Sequence, residues 1–481
     1  MFDSIANGID WTWARDIIFV AYGLTIVSII VIVVSENRNP VKSLAWVTVL
    51  LLLPMVGIIL YLFFGRNISN KHKLSRRTRR KLKKREAISH ADFRKLDLSA
   101  GAVQNIRLAK SLADAQFYDG NEVEVFTNGA DKFASLKADL INARHYINIE
   151  YYIFENDRIG NEIADILIER ALAGVTVRVI YDHVGSFTVK SRFFKRMRKA
   201  GIAVYPFFEV AFPQLGTRIN WRNHRKLCVI DGAIGYLGGM NIADRYIDGG
   251  RRFASWRDTH VRIEGPVVAA LQYAFAVDWH FMGQPLINEA VLANKPRRGN
   301  VAAQLLTSGP TSQWSNISLM FHKAICNAKH RIYIQSPYFL PTDALLKGLV
   351  TAALSGVDVR IMIPHKSDST LLDYASSSYI TECLRAGIKI YMYEAGMLHS
   401  KLIIVDDDFV TIGSTNFDFR SFEHNFEGNL FFYSREFTDK MLEIYREDLT
   451  HSTRVVPTLW RKRPLIRRAI ESAVRLLSPI L

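Results

Sequence analysis

One short pattern of histidine, lysine and asparagine occurs twice in this chain, 175 residues apart. The first copy reads HRKLCVIDGAIGYLGGMN from residue 224, and the second reads HSKLIIVDDDFVTIGSTN from residue 399. The matched residues are His224, Lys226, Asp231, Gly238 and Asn241 in the first copy, and His399, Lys401, Asp406, Gly413 and Asn416 in the second. Because one histidine can act as a nucleophile while its twin donates a proton, five matched spacings indicate a duplicated catalytic unit.

These residue types suit the exchange of a phosphodiester. That reaction needs a nucleophile for phosphorus, an acid for the departing alkoxide, and cations or N–H donors for the phosphoryl oxygens. Histidine suits the first two tasks because its pKa lies near neutrality, and Lys226, Lys401, Asn241 and Asn416 are candidates for the third. No acid or cysteine stands at metal-ligand spacing beside either histidine, and the adjacent lysine would repel a cation. The sequence therefore predicts chemistry without a metal or cofactor.

A nucleophilic imidazole also needs an acceptor that orients its far nitrogen. Two acids lie in comparable places downstream of the motifs: Asp258 is 34 residues after His224, and Glu427 is 28 residues after His399. We predict that these two carboxylates orient the histidines, and two surface acids without such a role are the alternative.

In the strand that begins each motif, the odd and the even positions are both apolar, which predicts that the strand is buried on both faces. Side chains at i and i+2 share a face of a strand, so the histidine and lysine of each copy point the same way. Asp231 and Asp406 complete the motif and enter the candidate catalytic set with it. They lie ~16 Å along the strand from the histidine, however, which favours a role in a turn or a salt bridge.

Further segment pairs extend the duplication over most of the chain. Residues 143–154 resemble 328–339, residues 171–182 resemble 353–364, and residues 200–205 resemble 386–391. Alternating strand-like and helix-like segments predict an α/β fold, with glycines at the helix ends as caps; these are Gly174, Gly201, Gly356 and Gly387. We place the first half at residues 112–290 and the second at 303–452, joined by a linker at 291–302.

The amino-terminal part is strongly apolar. Residues 17–34 and 44–64 are two uncharged runs, and a membrane-spanning helix needs about 20 apolar residues. We predict a transmembrane hairpin over residues 1–65, with residues 35–43 as its turn. A signal peptide or a buried helical hairpin are the alternatives.

The excess positive charge is confined to two segments. Of the net charge of +16, residues 66–85 contribute +11 and residues 454–481 contribute +6, which leaves the remainder near neutral. We predict a basic juxtamembrane arm and linker at 66–111 and a basic amphipathic segment at 453–481, both able to attract anionic lipid. A solvated linker, and a helix packed on the body, are the respective alternatives. The near-neutral body argues against a nucleic-acid groove.

The basic arm after the second apolar run also predicts topology. Lysine and arginine beside a membrane helix mark the cytoplasmic side, so we expect both chain ends and the catalytic body in the cytoplasm. Cys228, Cys326 and Cys383 form a sparse, odd set that predicts no disulfide framework, in agreement with a reducing compartment.

Taken with the segments YYIFEND and SPYFLPTD, both motifs resemble the HKD motifs of the phospholipase D superfamily, over roughly residues 112–452. Two amino-terminal spans, a basic stretch and two such halves are similar to the bacterial cardiolipin synthases. The resemblance implies transfer of a phosphatidyl group between two phosphatidylglycerol molecules through a phosphohistidine, with release of glycerol. By analogy with the superfamily, His224 is the nucleophile and His399 the acid and base. The first copy departs from the second by Gly239 in place of Ser414.

Three other functions stay open at this point. The nearest is another phosphatidyltransferase or a hydrolytic phospholipase D, because pocket shape selects the acceptor. A membrane-tethered nuclease is more distant, and a non-catalytic lipid-binding scaffold is disfavoured by two intact motifs. We expect phosphatidylglycerol and anionic membrane lipid as partners and no nucleic acid; a homo-oligomer is compatible with the sequence.

Overall fold

A computed structural model describes residues 12–35, 40–61, 93–209, 221–287 and 297–478. The described residues form two compact units, the first within residues 12–61 and the second within residues 93–478. The predicted basic arm at 66–85 lies outside the described residues, as do residues 36–39 of the predicted turn and residues 291–296 of the predicted linker.

The amino-terminal unit is helical. Its helices are α1 (Thr12–Ser35), α2 (Pro40–Leu52) and α3 (Pro54–Leu60). The second apolar run is thus not one helix, since it breaks at Leu53 before Pro54, which lacks the N–H that a continuous helix requires. A small apolar cluster comprises Ile29, Val33, Leu50 and Tyr61.

No helix in the described ranges is both long and apolar enough to cross a bilayer. The two predicted spans therefore stay a prediction.

The first half of the second unit alternates strands and helices. It comprises α4 (Ala100–Ala113), β1 (Tyr118–Phe126), α5 (Gly129–Ile141), β2 (Tyr146–Tyr151), α6 (Arg158–Leu172), β3 (Thr176–Asp182), α7 (Ser191–Lys199), β4 (Ala203–Phe207), β5 (Arg222–Asn223), β6 (Lys226–Ile230), β7 (Ile234–Gly238), α8 (Arg245–Asp248), β8 (Trp256–Arg257), β9 (His260–Glu264) and α9 (Val268–Phe281). A short 3₁₀ turn at Phe93–Lys95 precedes them.

The second half repeats this order. It comprises β10 (Val301–Ser308), α10 (Asn316–Asn327), β11 (Arg331–Gln335), α11 (Asp343–Leu354), β12 (Asp358–Pro364), α12 (Thr370–Arg385), β13 (Lys389–Tyr393), β14 (Met397–Leu398), β15 (Leu402–Val405), β16 (Phe409–Gly413), α13 (Phe419–Glu423), β17 (Asn425–Tyr433), α14 (Arg435–Thr450), β18 (Ser452–Arg454), α15 (Pro457–Arg461) and α16 (Leu465–Arg475).

Both halves form one continuous mixed sheet. The strand order is β1-β9-β7-β6-β2-β3-β4 in the first half and β10-β17-β16-β15-β11-β12-β13-β18 in the second, and the antiparallel pair β1–β10 joins them. Strands β2, β3 and β4 are parallel, as are β11, β12 and β13. The predicted α/β class and its duplication are confirmed.

Four helices end next to the glycines that were predicted as caps. Gly174, Gly201, Gly356 and Gly387 each have a φ between 85° and 93°, a conformation that glycine adopts without steric cost. An added Cβ at these positions would meet nothing within 4 Å. The backbone conformation, and not lack of space, therefore requires glycine there.

Helix α4 occupies residues that the sequence analysis assigned to the linker at 66–111. Ala102, Ile106 and Ala109 are buried in the apolar core of the second half, and their spacing of four and three residues places them on one helix face. The segment is therefore part of the catalytic body.

Candidate active site

Two equivalent hairpins carry the motifs. Strands β6 and β7 form one, and β15 and β16 form the other. His224 lies two residues before the start of β6, and His399 directly follows β14. The Lys226 Nζ donates a hydrogen bond to the His224 carbonyl oxygen at 2.5 Å, and Lys401 makes the same contact to His399. In each motif the lysine side chain therefore lies beside the histidine, as their spacing predicted.

Short parallel strand pairs cross between the halves at this point. Strand β5, just before His224, pairs with β17 at Asn425 and Phe426. Strand β8, just before Asp258, pairs with β14, just before His399. Each histidine N–H then donates to the opposite half, His224 to the Phe426 carbonyl at 2.9 Å and His399 to the Arg257 carbonyl at 2.7 Å. These pairings bring both motifs into one site.

The two predicted orienting acids do contact the histidines, but crosswise. The His224 Nδ1 lies 3.0 and 3.2 Å from the two carboxylate oxygens of Glu427. The His399 Nδ1 lies 2.6 Å from the Asp258 Oδ2. The pairing within each copy that the sequence spacings suggest is therefore wrong, because the crossed strand pairs place each acid beside the histidine of the other half.

Further charged groups, which were not predicted from the sequence, hold these elements. Arg225 forms an ion pair with Asp278, and its Nε donates to the Glu427 carbonyl oxygen at 3.0 Å. Arg257 makes a bidentate pair with Asp448 at 2.7 and 2.9 Å. Each arginine is adjacent to a site residue in sequence, which was the available signal; the aspartate partners lie on helices distant in sequence. We assign all four a positioning role.

A further buried carboxylate fixes the approach to His224. Asp182, at the end of β3, accepts hydrogen bonds from the backbone N–H groups of Asn223, Val184 and Gly185. Burial raises the pKa of this carboxyl group, and the Arg222 guanidinium opposes that shift. Such a network restrains the backbone next to the imidazole.

The site is nearly closed, and burial dominates its electrostatics. His224 and His399 are 8 % and 6 % exposed. Burial lowers the pKa of His224 to about 4, although the Glu427 carboxylate acts in the opposite direction. Burial and the Lys401 charge lower the pKa of His399. Both imidazoles are thus neutral near pH 7, so Nδ1–H can donate to the carboxylate while the Nε2 lone pair stays available.

The two acids stay ionised in spite of their burial. Burial alone raises the pKa of Glu427, but the interaction and hydrogen bond with His224, together with the Lys226 charge, lower it below its usual range. The pKa of Asp258 is likewise lowered, because the Lys401 charge and the hydrogen bond with His399 outweigh its burial. Each imidazole therefore faces a carboxylate that can stabilise an imidazolium.

Burial also lowers the pKa of both motif lysines. The pKa of Lys401 falls to about 8, and that of Lys226 falls well below its usual value. Glu427 and Asp258 act against this shift for both lysines, so the charges of the two motifs influence each other. The Lys401 Nζ also lies 2.7 Å from the His399 Nδ1. An anionic phosphoryl group placed here would meet the Nζ groups of both lysines and would favour their charged forms.

The two asparagines are engaged by protein. The Asn241 Oδ1 accepts the Ile153 N–H at 3.0 Å, and its amide nitrogen donates to Tyr246. Asn416 contacts the Asp418 carboxylate, and its Oδ1 is buried without a hydrogen-bond partner in the described residues. To bind phosphate, either amide nitrogen would have to exchange its present partner.

The structure corrects the place of the two motif aspartates in the candidate catalytic set. The Asp231 carboxylate accepts the backbone N–H groups of Arg144, His145 and Tyr146 at 2.7–2.8 Å. Asp406 does the same for residues 329–331. Both have a φ of 50°, a turn conformation that aspartate tolerates. They hold the start of β2 and β11 at the far end of the motif strand from the imidazoles.

The one motif difference noted in the sequence has a structural reason. The Ser414 hydroxyl donates to Glu427, whereas Gly239 stands against the Asp258 side chain, which a Cβ atom would overlap. The first copy thus combines glycine with aspartate, and the second combines serine with glutamate. The two histidines therefore have different surroundings.

Metal-ligating side chains do not cluster in the part of the chain that the structure describes, where no group of three or more histidine, cysteine, aspartate or glutamate residues could hold a metal ion. Cys228, Cys326 and Cys383 are all free thiols.

Comparison with protein families gives two matches. The model described as "Cardiolipin synthase, PLD-like domain" matches residues 136–279 and 321–449. The model described as "Phospholipase_D-nuclease N-terminal" matches residues 23–66.

Similar proteins extend over nearly the whole chain. It is 39 % identical to the cardiolipin synthase of Alkalihalophilus pseudofirmus, covering 99 % of this chain and 96 % of that protein. It is 40 % identical to the major cardiolipin synthase of Bacillus subtilis, covering 95 % and 97 %. Among solved structures, the phosphatidylserine synthase of Haemophilus influenzae superposes with a TM-score of 0.60 at 14 % identity, covering 79 % of this chain and all of that one. At that identity the superposition supports the fold alone.

Proposed function

Because this chain belongs to the cardiolipin synthase family with a phospholipase D-like domain, we propose that it transfers a phosphatidyl group between two phosphatidylglycerol molecules. The products are cardiolipin and glycerol. The observation that carries the proposal is the pair of buried, neutral histidines, each facing an ionised carboxylate from the opposite half.

In the first step, the His224 Nε2 attacks phosphorus and the bond to the glycerol headgroup breaks. The His224 Nδ1–H donates to Glu427, which stabilises the positive charge that the imidazole gains. His399 is neutral in the free enzyme, but the anionic phosphodiester favours its protonated form. It therefore takes up a proton from solvent as substrate binds, and gives that proton to the leaving glycerol oxygen. The Lys401 ammonium beside His399 favours loss of that proton, which supports the assignment of His399 as the acid.

In the second step, the now neutral His399 takes the proton from a hydroxyl of the second phosphatidylglycerol. That oxygen attacks the phosphohistidine, the P–N bond breaks, and cardiolipin leaves His224 neutral. Lys226 and Lys401 stabilise the phosphoryl oxygens in both steps, and Asn241 and Asn416 contribute if substrate displaces their present partners. Microscopic reversal of the proton transfer restores the starting enzyme.

The reaction is tested with detergent-solubilised protein, radiolabelled phosphatidylglycerol and a chelator, followed by lipid separation. We expect a diphosphatidyl product and an equal amount of glycerol even with the chelator present, because none of the proposed residue roles requires a metal. Phosphatidic acid as the sole product would contradict the synthase and indicate transfer to water. Loss of the diphosphatidyl product in the presence of the chelator would contradict a reaction that proceeds without a metal.

We also propose that the protein is a multi-pass protein of the cytoplasmic membrane, with spans at residues 17–34 and 44–64 and the catalytic body on the cytoplasmic side. Many large apolar side chains of the amino-terminal unit are more than half exposed, as a lipid-facing surface would be. They are Ile17, Phe19, Val20, Leu24, Val27, Val31, Leu44, Leu51, Leu52, Leu53 and Val56. Release of the protein from membranes by alkaline carbonate would contradict an integral position.

Gly239→Ser, which copies the second motif into the first, is expected to lower the transfer rate about 100-fold. The added side chain overlaps the Asp258 carboxylate, and an ångström-scale displacement of a catalytic group has an effect of this order. Initial rates of cardiolipin formation measure it. The matched variant Ser414→Gly removes a hydroxyl that bonds Glu427 and the Gly428 backbone, but adds no bulk, and should have a smaller effect. An equal or larger effect would refute the steric explanation.

The pH dependence of the transfer rate should differ from that expected for a histidine with an ordinary pKa. The nucleophile is active when neutral, so activity is lost only as the pH falls through the His224 pKa of about 4. The Lys401 charge is lost as the pH rises through about 8. A phosphatidyl ester of p-nitrophenol needs no acid, so its single-turnover rate should be level between about pH 5 and 7. Lys401→Arg should move the alkaline limb upward; an acid limb near pH 6.5 would contradict the assignment.

A further inference from the structure

A cavity of about 370 Å³ lies between α12, α15 and α16, apart from the histidine site. None of its lining residues belongs to either motif. They are Thr381, Leu384, Arg385, Pro457, Trp460, Arg461, Arg463 and Arg468. Four guanidinium groups thus line one cavity at the carboxy-terminal end of the chain.

Three of these arginines have no anionic partner in the part of the chain that the structure describes. The exposed side chains of Arg385, Arg461 and Arg468 form no ion pair with any acid in the described ranges. Arg463 differs, since it pairs with the buried Glu471 at 2.7 Å and lies over the Trp460 ring at 3.4 Å. Like charges gathered in this way repel one another unless an anion binds between them, and guanidinium groups match phosphate oxygens in geometry.

The walls of the cavity are held by specific contacts. The Trp460 Nε1 donates to the Thr381 Oγ1 at 3.3 Å, and the Arg463 Nε donates to the Trp460 carbonyl oxygen at 2.9 Å. Arg475 pairs with Glu382 at 3.2 Å and lies over the Tyr379 ring. The carboxy-terminal helix is therefore fixed on α12, and these contacts bring the arginines together.

Large apolar side chains flank the arginines in sequence and face solvent. Leu459, Leu465 and Ile466 are 64 %, 77 % and 71 % exposed. Basic groups next to exposed leucine and isoleucine are typical of a surface that lies at the boundary between lipid headgroups and acyl chains. A free phosphate ion would leave these apolar side chains in water.

We propose that this cavity binds the phosphate of an anionic phospholipid in the membrane surface, with Leu459, Leu465 and Ile466 entering the bilayer beside it. The site is separate from the catalytic one and does not depend on the proposed reaction. It would hold the catalytic body against the lipid that supplies its substrate.

The test counts phosphatidic acid molecules retained by the detergent-solubilised full chain in native mass spectrometry. Arg461→Gln with Arg468→Gln should retain one fewer than the unmodified protein, with binding weakened about tenfold or more. Lys462→Gln with Arg454→Gln removes the same charge from the same segment outside the cavity, and should match the unmodified protein. Cardiolipin formation from a short-chain, monomeric phosphatidylglycerol should be unchanged in both and reports that the variants are folded.

Three results would overturn the proposal. Equal retention by the cavity variant would exclude the site, and an equal loss in the control variant would mean attraction by net charge alone. Displacement of the lipid by inorganic phosphate at a similar concentration would show a site for free phosphate. If the double variant does not fold, Arg461→Gln and Arg468→Gln are measured singly against Lys462→Gln, with the same outcomes.

Discussion

His224→Ala is expected to abolish the covalent intermediate and to lower cardiolipin formation to background. The variant lacks the Nε2 atom that attacks phosphorus in the proposed mechanism. The loss in the rate of cardiolipin formation should therefore exceed the factor of about 10²–10⁴ that is typical for one proton-transfer group. Brief incubation with labelled phosphatidyl-p-nitrophenol, rapid quenching at alkaline pH and peptide mapping measure the intermediate. Label should be found on the peptide containing His224 in the unmodified protein.

His399→Ala is the matched control, because it removes the other motif imidazole, which also faces a buried carboxylate. It should still form the phosphoenzyme from the p-nitrophenyl ester, whose leaving group needs no proton. Turnover to cardiolipin should nevertheless fail, since the acceptor hydroxyl has no base. Label on the His399 peptide, or label in His224→Ala, would reverse the roles of the two histidines.

Glu427→Gln should impair the step that depends on His224, and Asp258→Asn the steps that depend on His399. This crossed result follows from the contacts of 3.0 Å between His224 and Glu427 and 2.6 Å between His399 and Asp258. An amide can orient an imidazole but does not stabilise its positive charge, and such changes typically lower rates by about 10²–10⁴-fold.

The p-nitrophenyl ester separates the two variants. Glu427→Gln should slow phosphoenzyme formation from it, whereas Asp258→Asn should form the intermediate at nearly the unmodified rate and then accumulate it. Ser414→Ala serves as a control for Glu427, since it removes the hydroxyl that bonds Glu427 and the Gly428 backbone and leaves the carboxylate charge. If Asp258→Asn instead slowed formation and Glu427→Gln slowed only release, the crossed assignment would be excluded.

Local patterns in the sequence determined much of this protein. The matched spacings identified both histidines and both lysines, because residues two apart on a strand necessarily share a face. The repeated segments predicted the α/β halves, and the four glycine caps follow from backbone conformation, which is a local property.

Only the tertiary structure decided which acid serves which histidine. The partners are 203 and 141 residues apart, and they meet because β5 pairs with β17 and β8 with β14. No spacing within one copy encodes a contact between two copies. The closeness of Asp258 to Gly239, and the convergence of arginines from α12 and the carboxy-terminal helices, likewise depend on packing between elements distant in sequence.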